Sequence, residues 1–574
     1  MAADVEKIMN KLITLAALSL FSASFAAAQD ITGDWQGTLS AGGVELRLVL
    51  HVGKNADGSL KATLDSIDQP GANNIPVSSI TLKDSKLNLG VDAVHGTYEG
   101  TVSSDGKAIK GTWKQGQPLP LEFQRAAAPI KTEHKPAKPS DIDGAWLGTL
   151  DTGGGKLRVV FHIVNTEDGL TATLDSPDQG ANGLPTTSVT RDGVSLKIEV
   201  KQIGGGFSGK IAADLSSIDG TWTQMGNSMP LVLKRVKDQA DLAPPKRPQN
   251  PVRPYPYHDE DVSYVNQVQN VTLAATLTIP QGRGPFPAVV LITGSGPQDR
   301  DESLLGHKPF LVLSDYLTRK GIAVLRADDR GTGKSTGDFA AATTADFATD
   351  TEAGVAYLKT RPEINPHKIG LVGHSEGGVI APMIAARDRD IAFIVMMAGP
   401  GVPGDQILVA QVRAIDLASG KTPEEAEKDA TQEREVLDLL KTDKDDATLE
   451  RDVRAKLGAD APDAKVGASI KQLTSPWFRY FVSYDPAIAL RKIQCPVLAI
   501  IGEKDVQVPA KQNLPAIRKA LEEGGNNHFD VEEMPGLNHL FQTAKTGGPG
   551  EYAQIEETIS PVALEKMAGW ILQQ

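Results

Sequence analysis

Two hydrophobic rhythms divide the chain. Up to about Arg235 the apolar residues come in short runs, such as Leu46 to His51 and Leu157 to Ile163, punctuated by Asp57-Gly58, Asp105-Gly106, Asp168-Gly169 and Asp192-Gly193. That pattern predicts antiparallel strands joined by tight turns. From about Tyr257 short apolar strands alternate with helical stretches, which predicts a mainly parallel sheet covered on both faces. The strand candidates there are Leu273 to Ile279, Ala288 to Thr293, Ile322 to Arg326, Ile369 to Val372, Phe393 to Met397, Val497 to Ile501 and Val531 to Met534.

The first region is a duplication: Ile31 to Arg125 recurs as Ile142 to Arg235. Gly33-Asp34-Trp35 answers Gly144-Ala145-Trp146, Leu64-Asp65-Ser66 answers Leu174-Asp175-Ser176, and Gly111-Thr112-Trp113 answers Gly220-Thr221-Trp222. Each copy is expected to be a small all-β module, over residues 29–128 and 140–237. The Gly-x-Trp opening resembles that of lipocalin-like barrels. Core packing is the expected role of Trp35, Trp113, Trp146 and Trp222, because aromatics serve to fill such cores. The Pro- and Lys-containing stretches Ala126 to Pro139 and Val236 to Pro256 read as semi-rigid linkers.

Length adds a soft expectation of about three or four domains for such a chain. With 59 Lys+Arg against 72 Asp+Glu, the net charge of -13 argues against a general binder of nucleic acid or anionic membrane. A small-molecule substrate fits better. The single cysteine, Cys495, excludes an intrachain disulfide and any multi-cysteine metal site, and it reads as a buried structural residue. Leu12 to Phe25 is an apolar run followed by Ala26-Ala27-Ala28-Gln29, which reads as a signal peptide over residues 1–28. The expectation is an exported protein, periplasmic or secreted, with no membrane span.

The candidate chemistry centres on Gly373-His374-Ser375-Glu376-Gly377, a G-x-S-x-G nucleophile elbow. Lys368 to Val372 before it reads as a buried strand and Gly378 to Arg387 after it as a helix, the context such an elbow requires. Pro382 predicts a kink in that helix, at a cost of about 3 kcal/mol. Gly333-Lys334-Ser335 does not make a phosphate loop, because Asp328 stands where the earlier glycine is needed.

With Thr293-Gly294-Ser295-Gly296-Pro297 and Asp329-Arg330-Gly331-Thr332-Gly333 each following a strand, residues 257–574 resemble an α/β-hydrolase. Within that superfamily they are similar to bacterial esterases near the serine aminopeptidases and prolyl-oligopeptidase-like enzymes. The resemblance implies the chain order serine, acid, histidine. His528 and His539 follow Ser375; His528 precedes the last strand, so His539 is the expected base. Glu503 and Asp505 both directly follow a strand, and the family pattern favours Asp505 as the acid. The oxyanion hole is expected from the N–H groups of Glu376 and Ser295. Gln298 to Glu302 and Arg330 are expected to brace the Ser295 loop.

An insertion at about 401–494 is expected to form a helical cap, with Thr422-Pro423-Glu424-Glu425 opening one of its helices. The aromatics Trp477, Phe478, Tyr480, Phe481 and Tyr484 either pack that cap or wall the substrate pocket; Trp477, Phe478 and Phe481 are the substrate-binding candidates. The expected whole is an α/β-hydrolase sheet with a helical cap, preceded by two tandem all-β modules, hydrolysing carboxylic esters through an acyl-enzyme. No cofactor or metal is implied. Two alternatives stand beside it: a peptidase with the same triad, or a binding module whose repeats hold a glycan or protein ligand beside a vestigial hydrolase.

Overall fold

The computed structural model describes residues 30–574 apart from 42–43, 56–58, 68–74, 84, 92–93, 95, 116, 127–137, 152–155, 167–168, 180, 225–226, 441–445, 458–466 and 468–469. The expected signal peptide therefore lies outside the described residues. The chain divides into two compact units, one ending at Glu133 and one starting at His134.

The first unit holds a nine-stranded antiparallel sheet running from Gly33–Ala41 to Gln117–Arg125, its first strand lying between the second and the last. The second unit opens with a sheet of the same order, from Gly144–Asp151 to Asn227–Arg235. The repeat extends to detail. The indole N–H of Trp35 donates to the Ile31 carbonyl and that of Trp146 to the Ile142 carbonyl, both at 2.8 Å. Arg125 lies over Trp35 and Arg235 over Trp146, each 4.4 Å from the ring centre. All four repeat tryptophans are buried among apolar neighbours, so they fill the interiors of the sheets.

The stretch between the second module and the sheet that follows is pinned at both ends. On the module, Arg158 pairs with buried Asp178 and donates to the carbonyls of Asp241 and Ala243. Further on, the Arg247 guanidinium donates to the carbonyls of Leu305, Ala553 and Ile555 at 2.7–3.1 Å. The Gln249 amide spans the Thr558 and Ile559 backbone. Proline content signals stiffness, but these long polar side chains find partners that composition does not reveal.

The remaining sheet has eight strands: β1 (His258–Asn266), β2 (Val271–Ile279), β3 (Phe286–Ile292), β4 (Ala323–Ala327), β5 (Ile364–His374), β6 (Ile394–Met397), β7 (Val497–Gly502) and β8 (Phe529–Met534). Their order is β1-β2-β4-β3-β5-β6-β7-β8, antiparallel across the first three and parallel from β4 onward. Strands β3, β5, β6 and β7 are apolar on both faces because helices cover both. Helices α1 (Pro309–Arg319) and α9 (Pro561–Ile571) pack one apolar layer. Helices α2 (Thr344–Lys359), α3 (Gly377–Ala385) and α8 (Ala510–Glu523) pack the other. Helix α3 stays continuous across Pro382.

Between β6 and β7 lie α4 (Gly404–Ala418), α5 (Pro423–Leu440), α6 (Asp446–Leu457) and α7 (Pro476–Ser483). They share an apolar cluster of their own that includes Val409, Leu437, Val453, Phe478 and Val482. Thr422 and Glu425 exchange side-chain and backbone hydrogen bonds at the start of α5, the capping box that their spacing predicts.

Candidate active site

Ser375 sits where β5 turns into α3, with φ of +52° and its N–H held by the Met397 carbonyl at 2.8 Å. A non-glycine residue in that region is strained and persists only where its surroundings hold it. The flanking glycines are required by space. A Cβ on Gly373 would lie 2.0 Å from the Gly377 carbonyl oxygen, and one on Gly377 would lie 2.2 Å from that of Ile292.

His539 lies on the loop after β8, and Asp505 on the turn after β7. The ring Nδ1 of His539 is 2.8 Å from Asp505 Oδ2, and both side chains are buried. Asp505 Oδ1 accepts the N–H groups of Gln507 and Val508 at 2.9 and 2.8 Å, so the carboxylate is fixed with one oxygen aimed at the ring. A carboxylate only accepts, so Nδ1 carries the proton and Nε2 is left as an acceptor. Glu503 is exposed and accepts the Gly536 N–H instead. His528 is exposed at the opposite end of β8.

The loop after β3 closes on the elbow: a Cβ built on Gly294 would stand 3.4 Å from the Cβ of Ser375. That loop is braced by carboxylates. Asp329 accepts the Thr293 hydroxyl at 2.7 Å and the Gln298 N–H at 2.9 Å. Burial pushes the Asp329 carboxyl up to about 8, against those two hydrogen bonds. Arg300 pairs with Asp328 and Arg326 with Asp301. Arg330 pairs with Asp350 on α2, away from the loop it was expected to brace.

The Glu376 side chain joins the elbow to the cap. Its carboxylate accepts the Thr344 hydroxyl at 2.6 Å, the Trp477 indole N–H at 2.8 Å and the Ser295 hydroxyl. Burial raises its pKa despite these donors. Trp477 stacks on Phe481, their ring centres 5.4 Å apart, whereas Phe478 is 5% exposed and belongs to the cap's apolar cluster. Trp477 and Phe481 pack, partly buried, against that same cluster, so Phe478 is the most enclosed of the three substrate-binding candidates.

Glu302, within the segment expected to brace the Ser295 loop, does so, and its partner His374 had no role assigned from sequence. Glu302, 4% exposed, accepts the Gly294 N–H at 2.9 Å and faces His374 Nδ1 at 2.9 Å. His374 Nε2 lies 3.0 Å from the His539 carbonyl. Burial works against a charge on His374, but the Glu302 carboxylate, by charge and hydrogen bond, turns its pKa upward. Among the described residues no cluster of His, Cys, Asp and Glu is arranged as a metal site.

A family profile of X-Pro dipeptidyl-peptidases (S15 family) matches residues 269–528, from the turn before β2 to the residue before β8. Esterase EstD of Thermotoga maritima is 27% identical over 305 residues, which span 52% of this chain and 66% of that protein, less than two thirds of its length. An uncharacterised 31.7 kDa protein of Escherichia coli, from the traX-finO intergenic region, is 23% identical over 273 residues, 46% of this chain and 90% of its own. Among solved structures, the Pyrococcus furiosus esterase Pf2001 superposes with a TM-score of 0.34 at 17% identity, covering 57% of this chain and 96% of that one. Strand order, the strained elbow after the fifth strand and the sequence matches agree, and the part of the chain from Tyr257 onward has the α/β-hydrolase fold.

Proposed function

We propose that the chain is a serine hydrolase that cleaves carboxylic esters through an acyl-enzyme intermediate. The observation that carries the reading is the buried 2.8 Å contact between His539 and Asp505, with Nε2 of the ring left to accept a proton. In this mechanism Ser375 Oγ attacks the ester carbonyl as its proton passes to His539 Nε2. Asp505 stabilises the imidazolium, and the N–H groups of Ser295 and Glu376 receive the developing oxyanion. His539 then protonates the departing alkoxide; water, deprotonated by the same ring, releases the acid and restores the serine. Trp477 and Phe481 are proposed to border the substrate where the cap meets the elbow.

A second reading, a peptidase with the same triad, is favoured by the S15 family match. The two separate on substrates: p-nitrophenyl esters against X-Pro and aminoacyl anilides. Fluorophosphonate labelling of wild type, lost together with ester turnover in Ser375→Ala, is the expected result. A Ser375→Ala protein that still labels and turns over would overturn the assignment. Export is part of the proposal, resting on Leu12 to Phe25, and a mature N-terminus at Gln29 in the secreted protein would check it.

A further inference from the structure

We propose that Glu302 and His374 are positioning residues, a buried pair that ties the oxyanion loop to the base loop so that one carboxylate sets both. The proposal rests on the serine-hydrolase reading of Ser375. Its ground is a continuous path of hydrogen bonds. The Gly294 N–H, next to Ser295, donates to Glu302 Oε1; His374 Nδ1 faces the same oxygen; and His374 Nε2 reaches the carbonyl of His539. All three pieces of the site are joined this way: the loop after β3, the residue before the nucleophile, and the base.

The protonation of the path follows from its partners. A carbonyl only accepts, so Nε2 of His374 must carry a proton; a carboxylate that already takes an N–H from Gly294 leaves Nδ1 as a second donor. His374 is then an imidazolium sandwiched between two acceptors. Glu302 holds its place at φ of +53°, the left-handed region that a glutamate seldom enters, so the backbone is strained where the carboxylate is aimed. The neighbouring pairs Arg300 with Asp328 and Arg326 with Asp301 end on strand termini and the loop itself, with no such path to the base.

The charged groups facing His374 are Glu302 and Asp505, and the titratable ring beside it is that of His539. Its ring centre is 4.9 Å from that of His539, which also faces Asp505. A fixed cation at that distance opposes a second proton on the base. Removing either member of the pair removes that cation, since His374 owes its charge to Glu302. The acidic limb of the pH dependence of kcat/KM then moves to higher pH. A pair that served only stability would leave that limb in place.

The experiment compares Glu302→Gln, His374→Gln and the double variant with wild type and Ser375→Ala. Active sites are titrated with a fluorophosphonate, and p-nitrophenyl acetate turnover is followed from pH 5 to 9. We expect kcat per titrated site to fall by about 10- to 100-fold, the scale of a misplaced reacting group, with KM near that of wild type. The acidic limb should shift upward in all three variants, and the double variant should lose no more than the worse single. His374→Gln leaves the Glu302 carboxylate buried without its partner, whereas the double variant leaves no charge behind, so the double variant folds even if that single fails. A folded double variant with wild-type kcat per site and an unmoved acidic limb would overturn the proposal. Absence of labelling in wild type, or turnover surviving in Ser375→Ala, would overturn the serine-hydrolase reading and the pair with it.

Discussion

Replacing Asp505 with Asn tests the acid of the triad with little change of shape, and the hydrogen bonds fix what the substitution does. Asp505 Oδ1 accepts two backbone N–H groups, from Gln507 and Val508, while Oδ2 accepts the proton on His539 Nδ1. An asparagine must keep its carbonyl on the two backbone donors, because turning its amide toward them would bury two unmatched N–H groups. Its NH2 then faces the ring. His539 answers by moving its proton to Nε2, the nitrogen that Ser375 needs as an acceptor. The resting enzyme is left in the wrong tautomer, and the charge that stabilises the imidazolium is gone. In a serine protease the same exchange costs about four orders of magnitude in kcat, or about 5.5 kcal/mol of barrier. The assay is kcat/KM on p-nitrophenyl acetate at pH 7, with the rate of fluorophosphonate labelling falling in parallel. Glu503→Gln is the control: its exposed side chain holds the Gly536 N–H, which glutamine still accepts, so activity should stay within about twofold of wild type. A near-normal Asp505→Asn beside a crippled Glu503→Gln would refute the reasoning, and no loss in either would place the acid elsewhere.

Three further outcomes follow from contacts at the edges of the site. A chain truncated to begin at Val252 loses Arg247 and Gln249 and should melt several degrees below one begun at Pro244; Arg247→Ala in the full chain should cost about 1–2 kcal/mol by chemical denaturation, for lost charge-assisted hydrogen bonds. Equal stability of the two truncations would show that the carbonyl contacts contribute nothing. Trp477→Phe keeps the stack on Phe481 and removes one donor from Glu376, so kcat should fall by about 2- to 10-fold with the cap still folded, as one hydrogen bond of about 0.5–1.5 kcal/mol implies; wild-type kcat would detach the indole from the oxyanion side. The Asp329 carboxyl, pushed up from 3.8 to about 8, is neutral below that pH and gains a charge above it, so turnover should fall on the alkaline side of about 8. Asp329→Asn imitates the neutral form and should retain activity at pH 7 while losing that alkaline limb; an unchanged limb would assign it to another group.

What the sequence discloses of this site depends on how local the cause is. The elbow is legible because Gly373 and Gly377 answer contacts made within a few residues and one strand of Ser375. Glu503 and Asp505 are two residues apart with the same charge, and composition cannot separate them. The turn does, since the short Asp505 side chain caps two N–H groups and swings its other oxygen to His539, while the longer Glu503 reaches Gly536. The aromatic segment held a signal that spacing alone could have used. Trp477 and Phe481 are four residues apart on one face of α7, and Phe478 and Val482 are four apart on another; the second pair is buried within the cap's cluster, while the first packs at its margin and carries the Trp477 contact to Glu376. Strand β1 hides because an edge strand alternates and carries acids such as Asp259 and Glu260. Glu302 and His374 are 72 positions apart and meet through the parallel pairing of β3 with β5, so neither position shows its purpose alone.

The electrostatics around Ser295 pose a problem that these tertiary contacts resolve. Three carboxyl groups, Glu302, Asp329 and Glu376, surround a loop proposed to receive negative charge during the reaction, and the field of Asp329 includes both of the others. Three buried anions there would oppose the oxyanion more strongly than two N–H donors could favour it, because charges interact strongly where water is excluded. The structure disposes of each charge differently. Asp329 and Glu376 are deep enough that burial raises both toward their neutral forms, in which a carboxyl still accepts hydrogen bonds and still braces the loop. Glu302, which must hold Gly294, is matched by His374. Acids are thus used as rigid hydrogen-bonding struts: burial disfavours the charge on two of them, and the third is paired with His374, which is joined to the base. A carboxylate there is more than a hydroxyl could be: it accepts from two loops at once, which is what a site assembled from three separate segments requires.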